Sequence, residues 1–205
     1  MEINKITELP KDAPTLLKGG SEKMSSKPLD ELVIGLVCSV GTNLDVITTK
    51  IKERLSLFKF RSHEIKVSSD IIAALTGQTN YSNDYQRIEG LMSKGNELRQ
   101  QSECNYILSL GAIGRIDEIR NNDIQIQNNN KGVAYIINSI KHPEEVHKLR
   151  EVYGSNFLLF GVFSEEKRRL DNLTKNKGID PEDAKKLIAR DEDEVAGHGQ
   201  HTRDT

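Results

Sequence analysis

The chain has 205 residues, with 29 basic and 31 acidic side chains and a net charge of -2, which gives no reason to expect a protein that coats nucleic acid. Hydrophobic residues make up 36% of the sequence and aromatic residues 5%, with no Trp, which predicts an aliphatic core and a highly charged surface. Two cysteines are too few for a disulfide framework, and the sequence shows neither a signal peptide nor an apolar run long enough to cross a bilayer. We therefore expect a soluble, cytoplasmic protein with no membrane partner.

The N-terminal half opens with a segment of low periodicity. Residues 1–28 are rich in Lys, Ser, Gly, Pro and Thr and predict a flexible tail. The stretch ELVIGLVCSV has the nearly continuous apolar character of a strand buried in a parallel sheet. A glycine turn and the helical pattern of NLDVITTKIKERLSLF follow it, so strand, turn and helix are predicted in that order.

The rest of the chain alternates between strands and helices. We predict an edge-like strand at 60–67, a short helix, a polar loop, and a long region that glycines divide into two or more helices, with Cys104 at the start of one. An Asn/Gln-rich loop at 121–130 precedes the buried strand KGVAYIINSI, the helix HPEEVHKLREVYG, the buried strand NFLLFGVFS and two charged helices. This order predicts an α/β fold of three layers around a parallel sheet, similar to P-loop nucleotide kinases, over residues 29–195. Residues 196–205 are interpreted as a linker.

The first glycine turn resembles a phosphate-binding P-loop that lacks its lysine. Aligned by the end of the strand, Cys38 takes the position of the first P-loop glycine and Gly41 lies inside the loop. The Gly-Lys-Ser/Thr positions are then taken by Asn43, Leu44 and Asp45. Leucine supplies no charge and aspartate places a carboxylate where phosphate oxygens approach, so phosphoryl transfer is not expected.

Anion binding through backbone N–H groups needs no particular side chain and remains a prediction for this loop. The candidate nucleotide- or phosphate-binding residues are Gly35, Ser39, Val40, Gly41, Thr42, Asn43 and Arg169. Arg169 is included because it lies with Lys167 and Arg168 where small-molecule kinases carry a lid helix with phosphate-binding arginines. Two simpler interpretations stay open: Gly41 only permits a sharp turn, and the basic residues form a solvated helix face.

No catalytic residue and no metal site is assigned from the sequence. The acidic run at residues 191–194 is interpreted as a solvated helix end, and the spacing of His198 and His201 as too glycine-rich for a rigid metal site. Cys38 and Cys104 are interpreted as structural residues.

Three segments together give a resemblance to a known family. They are the glycine loop, the block KHPEEV…LR…YG…F…GV…RRL with GNELR at residues 95–99, and the ending ARDEDEVAGHGQHTRDT. From Glu31 to Thr205 the chain resembles the N-terminal, nucleotide-kinase-like domain of the anti-phage deoxycytidylate (dCTP/dCMP) deaminases. The HPEEV..LR element alone also resembles dephospho-coenzyme A kinases.

This resemblance implies a domain that binds a deoxynucleotide, ATP or GTP, with Mg²⁺ accompanying the nucleotide, and that regulates an attached C-terminal deaminase. The deaminase would use zinc to convert dCTP or dCMP to dUTP or dUMP, which depletes the pool for phage replication. An inhibitory RNA or protein and assembly into a homo-oligomer are further implied. The zinc site combines His-x-Glu with Pro-Cys-x-x-Cys. His63 is followed directly by Glu64, which is the wrong spacing, and the two cysteines are far apart in sequence, so we expect no deaminase activity from this chain.

Two other functions remain open at this point. The first is a stand-alone nucleotide or nucleoside kinase with a degenerate P-loop, which would take its missing charge from Lys50, Arg168 or Arg169. The second is a purely structural interaction domain that binds no nucleotide.

Overall fold

The structure is a computed structural model that describes residues 31–123, 132–193 and Thr205. Four strands and seven α-helices are described in these ranges. The strands are β1 Glu31–Cys38, β2 Arg61–Lys66, β3 Val133–Ile140 and β4 Phe157–Val162. The helices are α1 Leu44–Leu57, α2 Ala73–Thr76, α3 Asp84–Ser102, α4 Ile107–Asn122, α5 Pro143–Tyr153, α6 Glu166–Asp171 and α7 Pro181–Asp193. π-Helical turns occupy Val67–Ile72 and Asn172–Asn176, and a short 3₁₀ turn occupies Gly154–Asn156.

The four strands form one parallel sheet in the order β2-β3-β1-β4. Side chains alternate between its faces, so each strand supplies two apolar rows. One row, which includes Val33 and Ile137, packs with α3, α4 and α5. The opposite row, which includes Leu36 and Ile136, packs beneath α1. The predicted three-layer α/β fold with a parallel sheet is confirmed.

A third apolar cluster lies beside the sheet and fixes α7. Leu187 and Ile188 of α7 pack with Met92 of α3 and with Leu173 of the second π-helical turn, and Val40 of the β1–α1 loop joins them. The helix is amphipathic: its buried side chains recur at helical spacing while the first turn exposes acidic residues. Burial of this face anchors α7 against the loop that follows β1.

The structure differs from the sequence predictions in two places. The strand β4 was expected to be buried, but it is a sheet edge where Leu158 is 42% and Phe160 46% exposed. Its sequence pattern is apolar throughout, so the pattern does not reveal that one face lacks a helix. Cys104 lies in the turn between α3 and α4 and begins no helix.

Several sequence predictions fall on residues that the structure does not describe. These are the flexible tail at 1–28, most of the Asn/Gln-rich loop at 121–130, and most of the linker at 196–205, together with His198 and His201. Glu194, the last residue of the acidic run, also lies outside the described residues.

Candidate functional site

The order of the strands places a crevice between β1 and β3. From β1 the chain continues through α1 to β2 at one edge of the sheet, and from β3 it continues through α5 to β4 at the other. Adjacent parallel strands whose connections leave in opposite directions open a crevice at their carboxyl ends, where open α/β sheets bind ligands. A cavity of about 470 Å³ lies here, within the usual size range of ligand pockets.

The β1–α1 loop, residues 39–43, forms one wall of this cavity. Gly41 has φ +85°, a backbone conformation that favours glycine, and the N–H of Thr42 closes the turn onto the carbonyl of Ser39 at 3.2 Å. The N–H groups of Gly41 and Asn43 donate to no group within the described parts of the chain. The loop is therefore a tight turn with two backbone donors that have no partner among the described residues.

Two of the positions that differ from a P-loop, Leu44 and Asp45, supply no positive charge for a phosphate. The side chain of Leu44 is 8% exposed and packs in the apolar cluster beneath α1. The side chain of Asp45 is 80% exposed and lies 3.8 Å from the Nζ of Lys66. A core residue thus lies at the position that the sequence alignment gives to the P-loop lysine.

Five of the seven predicted binding residues line the cavity, and two do not. The five are Ser39, Val40, Gly41, Thr42 and Asn43. Gly35 lies inside β1, where an added Cβ would be 2.4 Å from Cδ1 of Ile140, so this glycine permits close packing of the core and stands apart from the cavity.

Arg169 supports the loop from outside the cavity. Its Nη2 pairs with Oε1 of Glu192 at 2.7 Å, its Nη1 lies 3.5 Å from the carbonyl oxygen of Val40, and its side chain is 6% exposed. The neighbouring Asn172 donates to the carbonyl oxygen of Gly41 at 2.9 Å. The predicted lid arginine is therefore buried against the back of the loop, whereas the side chain of Arg168 is 80% exposed.

Basic side chains that the sequence analysis did not single out surround the cavity. The four are Arg87, Arg99, Lys141 and Lys177, whereas Asp45 is the acidic side chain along the same described lining. The first three form ion pairs with Asp84, Glu145 and Asp191 respectively, at N–O distances of 2.8 to 3.0 Å. Lys177 has no ion-pair partner in the ranges that the structure describes.

The remaining lining is divided between amides and apolar side chains. Ile88, Leu91 and Met92 form an apolar wall along α3. Asn138 and Asn176 add polar groups, and Asn138 donates to Oε1 of Glu64 at 3.1 Å. Such a combination of an apolar wall, amides and cations suits a ligand with a flat ring and an anionic group.

A His-x-Glu spacing occurs once in the sequence, at His142 and Glu144, and in the structure it caps a helix. The Nδ1 of His142 accepts the N–H of Glu144 at 3.2 Å, and Oε2 of Glu145 accepts the N–H groups of Lys141 and His142. Pro143 at the first helical position completes this start of α5. The spacing therefore has a structural role at this position.

Lys141 and Asp191 join the ends of β1, β3 and α7. The Nζ of Lys141 donates to the carbonyl oxygen of Cys38 at 2.7 Å and to Oδ1 of Asp191 at 3.0 Å. Oδ2 of Asp191 accepts the N–H of Val40 at 2.9 Å. Burial raises the pKa of the adjacent Cys38 thiol, although the charge of Lys141 lowers it in part. Lys141 could have been found from the sequence, because it directly follows a predicted parallel strand.

Comparison with models of known families and with curated proteins gives no match to this chain. Among the described helices, none is both long and apolar enough to cross a membrane. The described side chains also bring together no group of three His, Cys, Asp or Glu residues that could hold a metal ion.

Proposed function

We propose that this chain is a nucleotide-binding domain that regulates an attached deoxycytidylate deaminase and transfers no phosphoryl group itself. The observation that carries the proposal is the cavity between β1 and β3, with the β1–α1 loop on one side and four basic side chains around it. The apolar wall of α3 would pack against the base, and the basic side chains would neutralise the phosphates. Mg²⁺ would enter with the nucleotide, held by its phosphates.

The proposal that the chain transfers no phosphoryl group is supported by the positions of the residues that would have to replace the P-loop lysine. Leu44, at the position of the P-loop lysine, is buried in the core. The cations that a degenerate kinase would use are displaced as well: Lys50 pairs with Glu53 on the surface of α1, and Arg169 with Glu192 behind the loop. None of Lys50, Arg168 and Arg169 lines the described cavity. A nucleotide can bind in this arrangement without its terminal phosphate being activated.

The deaminase part of the proposal rests on the resemblance of the sequence. Two of the motifs that carry it, GNELR and HPEEV, contact each other through Arg99 and Glu145, which supports their significance as a pair. In this proposal the cytoplasmic, full-length protein converts dCTP or dCMP to the deoxyuridine nucleotide, with zinc in its deaminase domain. The nucleotide, or an inhibitory RNA or protein, would control that domain within a homo-oligomer.

Nucleotide binding is tested by thermal unfolding and calorimetry with dCTP, dCMP, ATP and GTP, each with and without Mg²⁺. A ligand that binds only the folded chain stabilises it by about 2.7 kcal/mol at one hundred times its Kd. Failure of all four nucleotides to raise the Tm would favour the structural interaction domain. Rapid Mg²⁺-dependent phosphorylation of a deoxynucleotide would instead support the stand-alone kinase.

Two lysines near the second π-helical turn provide a matched pair of variants. Lys177 lines the cavity without an ion-pair partner among described residues, whereas Lys175 pairs with Asp171 at 2.9 Å and lies outside the lining. We expect Lys177→Ala to weaken nucleotide binding about tenfold, because a cation on a phosphate contributes roughly 1.5 kcal/mol. Lys175→Ala removes the same charge and should leave the Kd unchanged. Equal Kd values for the two variants would place the ligand elsewhere.

The attachment to a deaminase is tested by the intact mass of the product of the natural gene. A mass well above 23.1 kDa, with a His-x-Glu and Pro-Cys-x-x-Cys segment after Thr205, supports the proposal. A mass of 23.1 kDa would exclude a covalently attached deaminase.

A further inference from the structure

We propose that the N–H of Val40 and the ammonium group of Lys141 form the phosphate-binding pair of this domain, and that the carboxylate of Asp191 holds the pair until a phosphate displaces it. The inference rests on the proposed function, since it assigns the part of the nucleotide site that binds phosphate. It also assigns a role to α7, the last helix that the structure describes, in controlling access to that site.

The carboxylate of Asp191 accepts hydrogen bonds from both donors, as a bound anion would. One carboxylate oxygen accepts the N–H of Val40 at 2.9 Å and the other accepts Nζ of Lys141 at 3.0 Å. A backbone N–H after a β-strand together with a lysine ammonium is the donor combination that binds phosphate in strand–loop–helix sites. A phosphate group presents two oxygens to such a pair much as a carboxylate does.

Lys141 also compensates for the lysine that the loop lacks. Its Nζ donates to the carbonyl oxygen of Cys38 at 2.7 Å, which fixes the ammonium group at the point where β1 ends and the loop begins. The cation therefore reaches the loop from the neighbouring strand β3, whereas Leu44 at the usual position is buried. Val40 and Lys141 both line the cavity.

Asp191 contacts the pair but does not line the cavity. It is 4% exposed and belongs to α7. A phosphate that took the place of the Asp191 carboxylate on both donors would leave that carboxylate buried without a partner, which is strongly unfavourable. Binding should therefore release the end of α7, and the release would transmit occupancy of the site to whatever follows that helix.

The test compares Asp191→Asn with Asp193→Asn, using inorganic pyrophosphate and Mg·dCTP as the two probes in calorimetry. Both variants remove one carboxylate from the same helix end, but Asp193 is exposed. We expect Asp191→Asn to bind both probes about tenfold more tightly than the wild type, because the competing charge is removed, and Asp193→Asn to bind like the wild type. Unchanged or weaker binding by Asp191→Asn would mean that Asp191 positions the pair and does not compete with phosphate, which overturns the inference but leaves the proposed function intact.

A measurement on the wild type covers the case in which Asp191→Asn does not fold. Hydrogen exchange of the peptide that contains residues 187–193 should become faster when pyrophosphate or Mg·dCTP is added. If the ligand binds without moving α7, the exchange rate of this peptide should fall or stay the same. Slower or unchanged exchange with a bound probe would overturn the inference. Binding of a probe by Asp191→Asn alone would support the inference. No binding of either probe by any of the proteins would overturn the inference, and it would overturn the proposed function as well only if dCMP, ATP and GTP also fail to bind.

Discussion

Arg99 of α3 and Glu145 of α5 form a buried ion pair, with 2.8 Å between Nη2 and Oε1 and side-chain exposures of 1% and 3%. The same carboxylate uses its second oxygen to accept the N–H groups of Lys141 and His142 at the start of α5. Arg99 also donates to Oδ1 of Asn96 and lines the cavity. The pair therefore connects the helix that forms the apolar wall to the segment that carries Lys141.

The first prediction concerns the stability of this pair. Arg99→Met should lower the free energy of unfolding by about 3 to 5 kcal/mol, because it leaves a charged carboxylate buried without its partner. Adding Glu145→Gln removes that charge while keeping an oxygen for the cap of α5, so the double variant should regain part of the loss. Urea unfolding of Arg99→Met, Glu145→Gln and the double variant measures the three losses in free energy of unfolding. A double variant that loses the sum of the two single losses would show that the residues are not coupled.

The exposed pair of Lys50 and Glu53 provides the control for this experiment. Its side chains are 69% and 56% exposed at an Nζ–Oε2 distance of 2.7 Å. Lys50→Met should change the free energy of unfolding by no more than about 0.5 kcal/mol, since solvent screens such surface pairs.

The layer order of this fold could be predicted from the sequence, because its strands and helices carry strong local signals. Continuous apolar runs mark β1 and β3, and the His-Pro-Glu-Glu start and Gly154 mark the ends of α5. The exposed face of β4 could not be predicted, because its apolar pattern is the same whether or not a helix covers it. Local patterns report on the chain itself and carry little information about which face a distant element covers.

The loop wall of the candidate site was likewise predictable, but most of its charges were not. Gly41 and its neighbours are adjacent in sequence, so the turn is visible as a motif. Lys141 and Asp191 are 50 residues apart and meet only because β3 and α7 both end near the loop. The sequence also gives no sign that Arg169 packs behind the loop, because a lid arginine and a buried brace have the same local pattern.

The second prediction concerns Gly41. An added Cβ would lie 2.9 Å from both Cβ and the backbone oxygen of Arg169, at a φ of +85° that side chains rarely adopt. Gly41→Ala should therefore cost about 2 to 5 kcal/mol, from backbone strain together with overpacking, and should weaken nucleotide binding by distorting the loop. Urea unfolding and calorimetry measure the two effects.

Gly77 separates the two contributions at Gly41. It has φ +68°, but an added Cβ would meet nothing within 4 Å. Gly77→Ala should cost only the backbone strain, about 1 to 2 kcal/mol, and leave nucleotide binding unchanged. If both variants cost the same, the contact with Arg169 does not constrain the loop.

The third prediction concerns the reactivity of the two cysteines. Burial raises the pKa of the Cys38 thiol, and Cys38 is 7% exposed, whereas Cys104 lies in a turn and is half-buried. Because the thiolate is the reactive form, iodoacetamide at pH 8 should modify Cys104 well before Cys38 in the folded chain. Mass spectrometry of the digested protein measures the two rates. In about 6 M guanidinium chloride, which unfolds the chain, the difference between the two modification rates should disappear. Equal rates in the folded chain would contradict the burial of Cys38.

The fourth prediction concerns the dependence of stability on pH. His63 of β2 stacks on Tyr135 at 5.8 Å between ring centroids, and its Nε2 lies 3.7 Å from Oδ2 of Asp123. Burial, and then the charge of Arg61, lowers the pKa of His63 below its usual 6.5, while Asp123 opposes the shift. The unfolded chain therefore binds a proton at a higher pH than the folded chain does.

Stability from His63 should thus be fully present above pH 6.5 and be lost as the pH falls from 6.5 through the lowered pKa of the folded state. Urea unfolding between about pH 7.5 and 5.5, a range that spans the usual histidine titration, measures this loss. His63→Asn should reduce the slope of stability against pH because the replacement does not titrate, whereas His147→Asn, at an exposed position of α5, should keep the wild-type slope. If the His63 variant instead retains the full slope, other groups must protonate on unfolding, and the half-buried ring of His63 is not the source of the acid sensitivity.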